Sequence, residues 1–407
     1  MNCRHCSASL EHVFLDLGFA PPSNAYLSDT DLTKPEKYYP LKVMVCDQCW
    51  LVQTEDYAGA EELFSDEYAY FSSTSTSWLE HARRFSVDSL ERFHLNEKSL
   101  VIEIASNDGY LLKNYLEFGV PCLGIEPTAS TAAAAENVGV PVLREFFGEG
   151  LGKRLTAEGR TADLIIGNNV LAHVPDINDF ARGLKCALKP GGTVSVEFPH
   201  LLRLIEFTQF DTVYHEHFSY LSLHAVVRIF AAAGLRVYDV AELPTHGGSL
   251  RVFACHSADC RSEEDEVATV LAQEIAGGLL SLETYRGFQE RADTLKNEFL
   301  SFLLEQKRAG RSVAAYGAAA KGNTLLNYAG VKHDLLSFVC DAASAKQGKF
   351  LPGSHIAILC PEALLKQAPD FLVIVPWNLS HEIASMNDFV RQRGTKFVTA
   401  IPELKIW

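Results

Sequence analysis

The sequence predicts an α/β protein built on a doubly wound sheet, with a small metal-binding unit before it and a second α/β unit after it. Three observations carry that expectation. Short apolar runs alternate with helical patterns from Ser99 to about Phe198, and the alternation restarts at Ser312. Ahead of both, four cysteines stand in two CxxC pairs. At 407 residues the chain exceeds one ordinary core. The expected division is residues 1–70, 71–260, 261–310 and 311–407.

Composition narrows the function classes. A hydrophobic fraction of 47% with 10% aromatics builds real cores and argues against extensive disorder. Lys plus Arg number 36 against 51 Asp plus Glu, a net charge of −15, so no nucleic-acid partner is expected. The opening "MNCRHCSASLEHVF" has no basic start followed by an apolar region, and no run approaches the ~18 apolar residues of a membrane span. A cytoplasmic protein without a membrane partner is expected, with a monomer as the default. Cysteines outside the two pairs are scattered singly, which fits reduced thiols.

Residues 1–70 are rich in turn signals. Cys3-x-x-Cys6 and Cys46-x-x-Cys49 lie 39 residues apart. Each knuckle brings two thiolates to one ion from a tight turn, and two knuckles complete a tetrahedral S4 site suited to zinc. Four thiolates leave no open position, so the expected role is structural. His5 is a weaker substitute ligand, and a pair of redox dithiols is the alternative.

In the central unit "SLVIEIA" and "PCLGIEP" read as strands, "GYLLKNYLEFG" and "ASTAAAAENVG" as helices. The first strand ends in Glu103, and the small or polar residues Ala105, Ser106, Asn107, Asp108 and Gly109 lead into a helix. A dinucleotide fingerprint would need G-x-G-x-x-G, and Asp108 would repel a diphosphate. A cofactor with a sulfonium and an amino acid but no phosphate suits this acidic turn: S-adenosylmethionine. Glu126 ends the next strand, where a carboxylate can accept two ribose hydroxyls. Phe146 in "EFF" offers an edge to adenine, and "IIGNNVLAHVPD" puts Asn168, Asn169 and His173 at another strand end. Each piece alone fits a helix cap or a core position equally well. Their order, followed by "LKPGG", resembles a class I methyltransferase.

The stretch "DTVYHEHFSYLS" places His215, Glu216 and His217 between Tyr214 and Tyr220. A metal reading has His215 and His217 on one side of an extended strand, but it lacks a third ligand at recognisable spacing and does not match H-E-x-x-H. A plain polar loop is the bland alternative. Its place just beyond a strand end of the cofactor sheet favours proton transfer.

"LRVYDVAEL" and "SLRVFACH" are expected to close the sheet, and residues 262–310 to form a long bridging helix. In the second α/β unit "VAAYGAAAKGNTLLN" follows a strand and opens a helix. Gly317 and Gly322 frame alanines ending at Ala320, with Lys321 between. Asn323 stands where a P-loop needs lysine, so an ATPase fails. A helix N-terminus open to a phosphate or diphosphate remains, against a tightly packed helix start with no ligand. Lys346, Gln347, Lys349 and His355 follow the next strand, a local positive group suited to an anionic substrate. Trp377 and Asn378 sit at a further strand end, to stack on and read a base or sugar, or simply to pack.

Together these pieces resemble the S-adenosylmethionine-dependent C-methyltransferases of nucleotide-linked keto-sugars in deoxysugar biosynthesis. The likeness spans essentially the whole chain and is carried by "YFSSTS", "EIASNDG", "NNVLAHVPD", "FDTVYHEHFSYLS", "THGGSLRVF", "YGAAAKGNTLLNY" and "KQGKFLPG". It implies a zinc-binding N-terminal domain, a methyltransferase core, and a Rossmann-like C-terminal domain against which the substrate's nucleotide lies. It further implies that His217 is the base, with Tyr214 and Glu216 beside it, that Asn169 and His173 line the sugar, and that Tyr68 or Tyr70 is an N-terminal tyrosine of the site. "DAASAKQG" departs from the expected Asn-Pro or Ser-Pro pair ahead of Lys-Gln-Gly. Carbon methylation needs a carbanion equivalent, so a histidine that removes a proton beside a carbonyl fits, with its tautomer set by the neighbouring carboxylate and the enolate held by tyrosine or histidine. Competing readings are an O- or N-methyltransferase of another small molecule, which needs no enolising base, and a non-catalytic nucleotide-sugar-binding protein.

Overall fold

The computed structural model describes residues 1–57 and 71–407. The strands run β1 (His12–Ala20), β2 (Tyr39–Val45), β3 (Val52–Thr54), β4 (Val101–Ile104), β5 (Cys122–Ile125), β6 (Val142–Leu143), β7 (Ala162–Asn168), β8 (Leu188–Pro199) and β9 (Ser219–Tyr220). They continue with β10 (Leu235–Leu243), β11 (Ser249–His256), β12 (Val313–Tyr316), β13 (Val339–Cys340), β14 (Ile358–Leu359), β15 (Phe371–Ile374), β16 (Lys396–Thr399) and β17 (Lys405–Ile406). Among the described residues they form three sheets, ordered β1-β2-β3-β9, β10-β11-β8-β7-β4-β5-β6 and β14-β13-β12-β15-β16-β17.

The central sheet is parallel from β8 to β6, and β11 and β10 add antiparallel at the other edge. This is a class I methyltransferase α/β fold: strand order reverses between β4 and β7, and the carboxyl ends of strands flanking such a switch point form a ligand crevice. β4 and β5 are buried at every position, as strands covered on both faces by helices must be; β5 reads as an unbroken apolar run, and Glu103 is the one charged residue of β4. The third sheet is parallel except for β17. β6, β14 and β17 have two residues each, too few to leave a pattern in the sequence.

The expected bridging helix is three helices, Asp265–Ala276, Leu282–Arg286 and Phe288–Arg308. Gly278, at φ 80°, takes the left-handed turn that ends the first. Gly277 there leaves room for Leu202, which an added Cβ would meet at 2.4 Å. In the last helix Phe288, Ala292, Phe299, Phe302 and Leu303 are buried. Phe288 packs on Phe14 of β1 and Phe302 on Phe371 of β15, with ring centroids 4.5 and 5.3 Å apart. The N-terminal unit is thereby wedged between the two α/β units. The cysteine knuckles share one apolar core with the central sheet, and the other side of β1 and β2 shares a second core with the C-terminal sheet.

The wedge also settles where residues 211–222 lie. Their last part becomes β9, the fourth strand of the N-terminal sheet, paired with β3. Leu221 then bridges to His200 just past β8. The stretch is stitched between two sheets and does not hang from the edge of one. Among the described residues no helix is long and apolar enough to cross a membrane.

Candidate active site

The four cysteines come together. Cys3 Sγ is 3.4 Å from Cys49 Sγ and Cys6 Sγ 3.5 Å from Cys46 Sγ, and all four sulfurs lie within 4.8 Å of one another. A tetrahedral zinc at ~2.3 Å from each sulfur would set them about 3.8 Å apart, so the set fits the ion. The knuckles are built alike: Ser7 N donates to Cys3 O and Trp50 N to Cys46 O, both at 2.9 Å, and Ser7 and Trp50 both take φ 62°. His5 is not part of the set. Its Nδ1 meets Asn178 Oδ1 at 2.8 Å and ties the knuckle to the helix Ile177–Ala187.

At the switch point the turn after β4 carries positive φ at Ala105 (56°), Asn107 (49°) and Gly109 (77°). A Cβ on Gly109 would meet Val138 and Val140 at 3.1 Å, so that glycine serves close packing of helix on sheet. Asn107 Oδ1 and Asp108 Oδ2 accept the backbone N–H of Ser72 and Ser73, which fastens the entry to the helix Thr76–Arg92 over the turn. Glu126, expected to face a ribose, accepts Asn107 N and Thr128 N, one on each oxygen. Each oxygen keeps a second lone pair. Burial pushes the Glu103 carboxyl well above its ordinary range. Ser106 Oγ, Asp108 Oδ1 and both polar atoms of Asn168 are buried without a partner among the described residues. A row of unsatisfied polar atoms at strand ends is what a polar ligand such as S-adenosylmethionine would satisfy. Phe146 is 53% exposed, while Phe147 turns inward against Phe180.

Residues 210–217 form two tight turns. Phe210–Thr212 is a single 3-10 turn, and His217 N donates back to Tyr214 O at 3.0 Å. His217 Nδ1 lies 3.0 Å from Thr212 O. A carbonyl only accepts, so Nδ1 carries the proton and Nε2 keeps its lone pair. The carboxylate of Glu216 was expected to set this tautomer; a backbone carbonyl does so instead. Glu216 turns the other way, its Oε1 accepting from Asn24 N (3.3 Å) and Nδ2 (3.2 Å), and its Oε2 buried without a partner among the described residues. His173 Nδ1 donates to Glu216 O at 2.7 Å, with its ring 4.6 Å from that of His217. The Tyr214 ring lies 4.0 Å from His217 on another side. Burial, and next the His173 ring, hold His217 far below its usual pKa, and burial holds His173 at about 4. Burial raises Glu216.

His215 faces elsewhere. Its Nε2 meets Pro40 O at 3.2 Å and its ring lies edge-on to Tyr39, so it tethers the start of β2. The metal reading fails with it, because His215 and His217 lie on a turn and contact different elements. Tyr68 and Tyr70 lie outside the described residues.

The C-terminal unit docks on this turn. In the helix Ala320–Tyr328, Thr324 Oγ1 donates to Val213 O at 2.7 Å and Asn323 Nδ2 to Ser23 O at 2.6 Å. Trp377 Nε1 donates to Asp211 Oδ2 at 2.8 Å. Lys321 Nζ lies 4.7 Å above the Trp377 ring and donates to Asn378 Oδ1 at 2.8 Å. Trp377 thereby joins the two units, with Lys321 and Asn378 bonded to each other beside it. Burial raises Asp211 to about 6, opposed by Lys321. Gly317 and Gly322 are needed for packing, since added Cβ atoms would meet Pro376 and Val375 at 2.3 Å. Ala320 opens the helix and is half-buried. Lys346 reaches inward to Ala318 O (2.8 Å) and Asp341 (3.7 Å), and Gln347 Nε2 donates to Asp341 O. His355 pairs with Glu36, and Lys349 is half-buried.

The structure adds a residue the sequence reading passed over. His246, in the "THGG" turn between β10 and β11, has its Nε2 3.2 Å from Asn169 Nδ2 and its ring 5.2 Å from that of Trp78. Both His246 (φ 54°) and Asn169 (φ 53°) sit in the left-handed region, a costly conformation that folds keep mainly where a site needs it. Neighbouring Thr245 bonds buried Glu197, which His81 and Arg251 also hold. The signal in the sequence was a histidine before two glycines.

Three family models match the chain: a zinc binding domain over residues 3–64, a methyltransferase domain over 78–240, and a C-methyltransferase C-terminal domain over 244–402. C-methyltransferase NovU of Streptomyces niveus is 34% identical over 404 residues, which cover 99% of this chain and 96% of that protein. Solved structures overlap a smaller part. A S-adenosylmethionine-dependent methyltransferase from Clostridium acetobutylicum ATCC 824 has 10% identity over 44% of this chain and 92% of its own, at a TM-score of 0.36. Magnesium protoporphyrin IX methyltransferase (ChlM) from Synechocystis PCC 6803 has 14% identity over 44% and 83%, also at 0.36.

Proposed function

The chain belongs to the S-adenosylmethionine-dependent C-methyltransferases, and on that footing we propose that its acceptor is a nucleotide-linked keto-deoxysugar, methylated on a carbon beside the carbonyl by way of an enolate. The observation that carries this reading is His217. It is a buried imidazole with Nδ1–H given to Thr212 O and an Nε2 that has no partner among the described residues. A transfer to oxygen or nitrogen would not need it.

S-adenosylmethionine supplies an electrophilic methyl group on a sulfonium. The work of the chain is to make a carbon nucleophilic beside it. Depressed as it is, His217 is neutral at physiological pH and its Nε2 can take the proton; the C–H pair moves into the C–C bond of the enolate and the carbonyl pair onto oxygen. Thr212 O keeps the ring in this tautomer and stabilises the imidazolium that forms. Tyr214 and the N-terminal Tyr68 or Tyr70, whose hydroxyls can donate, stand as candidate partners of the developing oxyanion, while His173, its Nδ1–H given to Glu216 O, shapes the pocket beside His217 together with Glu216. Asn168 and Asn169 at the end of β7, with Glu103, Glu126 and the turn Ala105–Gly109, line the donor's side.

For the nucleotide we propose the C-terminal edge around Ala318–Gly322 and the loop that carries Lys346, Gln347 and Lys349. The four-cysteine zinc is structural and takes no part in the chemistry.

Solvent deuterium exchange into a panel of dTDP-, GDP- and CDP-linked keto-sugars, run without the methyl donor, tests the enolate. Exchange that disappears in His217→Ala is the expected result. Methyl transfer without such exchange in any pairing would sink the mechanism, and failure of the whole panel would sink the acceptor class.

A further inference from the structure

Three residues of the N-terminal unit between them touch both halves of the site. Ser23 O accepts Asn323 Nδ2 at 2.6 Å, Asn24 donates twice to Glu216 Oε1, and Tyr26 OH donates to Ala318 O at 2.6 Å. Further along, Leu27 and Phe350 exchange backbone hydrogen bonds at 3.0 and 2.8 Å. Glu36 accepts Gly353 N and pairs with His355, both at 2.8 Å. The segment is a strap, held along the C-terminal unit and reaching the histidine stretch at Glu216.

That carboxyl group is 1% exposed. Among the described residues no Lys, Arg or His pairs with it, and the charged or titratable groups that sense it are the hydroxyls of Tyr26 and Tyr220. The two N–H groups of Asn24 are thus what fixes Oε1 and leaves Oε2 as the unsatisfied atom. We propose that Asn24 is a positioning residue: from the strap it orients the Glu216 carboxyl so that Oε2 is presented to the acceptor. The inference rests on the reading of Glu216 as part of the acceptor's pocket.

Asn24 is half-buried and its side chain has Glu216 as its hydrogen-bond partner, so Asn24→Ala should fold, with a modest fall in Tm from that one lost bond and an unchanged S-adenosylmethionine affinity. Its kcat should fall about 10- to 100-fold, the range of one hydrogen bond to a charged group. Asn24→Asp puts a second carboxyl against Glu216, and such a pair shares one proton. It should therefore be worse than Asn24→Ala at pH 8 and recover relative to it as the pH is lowered to 6, a signature that loss of packing would not give. Independently of any acceptor, infrared titration of the carboxyl band identified by Glu216→Gln should move to higher pH in Asn24→Ala, because the lost N–H had favoured the ionised form. An unmoved band, or parallel pH profiles for the Ala and Asp variants, overturns the proposal. A band that moves in a protein that methylates no keto-sugar supports the positioning role and removes the acceptor assignment alone.

Discussion

Substituting Gly247 by alanine tests whether the "THGG" turn and the C-terminal unit are fitted to each other. A Cβ at Gly247 would lie 2.3 Å from Trp377 Cη2 and 2.7 Å from Gln209 Nε2, and the residue holds φ 86°. The backbone alone costs about 1–2 kcal/mol for a residue with a side chain. To clear the clash Trp377 must shift, and its Nε1 bond to buried Asp211 is then lost, worth roughly 1.5–3 kcal/mol for a charged partner. Gly159→Ala is the control, since φ there is 72° but nothing lies within 4 Å of the added Cβ. Gly247→Ala should destabilise by about 2–3 kcal/mol more than Gly159→Ala, read by thermal and urea unfolding. In a Trp377→Ala background most of that excess should vanish, leaving what the Gln209 amide, also 2.7 Å from the added Cβ, contributes. Equal losses for the two alanine variants would refute the fit, and so would an excess undiminished by removal of the indole.

Two further outcomes follow from the titrating and metal-binding groups. His173 and His246 are held at about 4 by burial, below the ~6.5 of an unfolded histidine. Their contribution to stability is complete above pH ~6.5 and is lost as the pH falls toward 4, because the unfolded chain then binds protons the folded one does not; Tm measured at pH 7.5 and at 5 should be lower at 5, and an equal Tm would contradict it. Chelation, or Cys49→Ser, should release zinc in a thiol-metal assay and lower the melting of the central unit too, since the knuckles and the central sheet share a core. Release of metal with no change in melting would separate the two.

Much of this architecture is written in local pattern. β4, β5 and β7 announce themselves as short, mostly apolar runs because strands covered on both faces bury nearly every side chain. The zinc set is legible because two short knuckles specify their geometry locally. The Asp108 turn carries its acidity on its face and so points away from phosphate. β6, β9, β14 and β17, two residues each, escaped notice because hydrogen bonds to distant neighbours make them, not their own composition. The break at Gly277–Gly278 rests on Gly278 at φ 80°, and the close fit of Gly277 on Leu202, far away in the chain, leaves no local pattern.

For the histidine stretch the division is sharper. Sequence alone placed Tyr214, His215, Glu216 and His217 together and supplied titratable groups fit to move a proton. It could not say which nitrogen is the base, because Thr212 O, five residues away on a 3-10 turn, decides that. The resemblance names His217 as the base and leaves His215 without a role; packing against β2 supplies one. Lys321 reads as a phosphate ligand in the sequence, where its bond to Asn378 and its place over the Trp377 ring cannot be seen, and Asn24 has no visible role until the strap brings it to Glu216. Residue types and short spacings are properties of the chain; the partner of a buried polar group is a property of the packing, and it is the partner that sets protonation and direction.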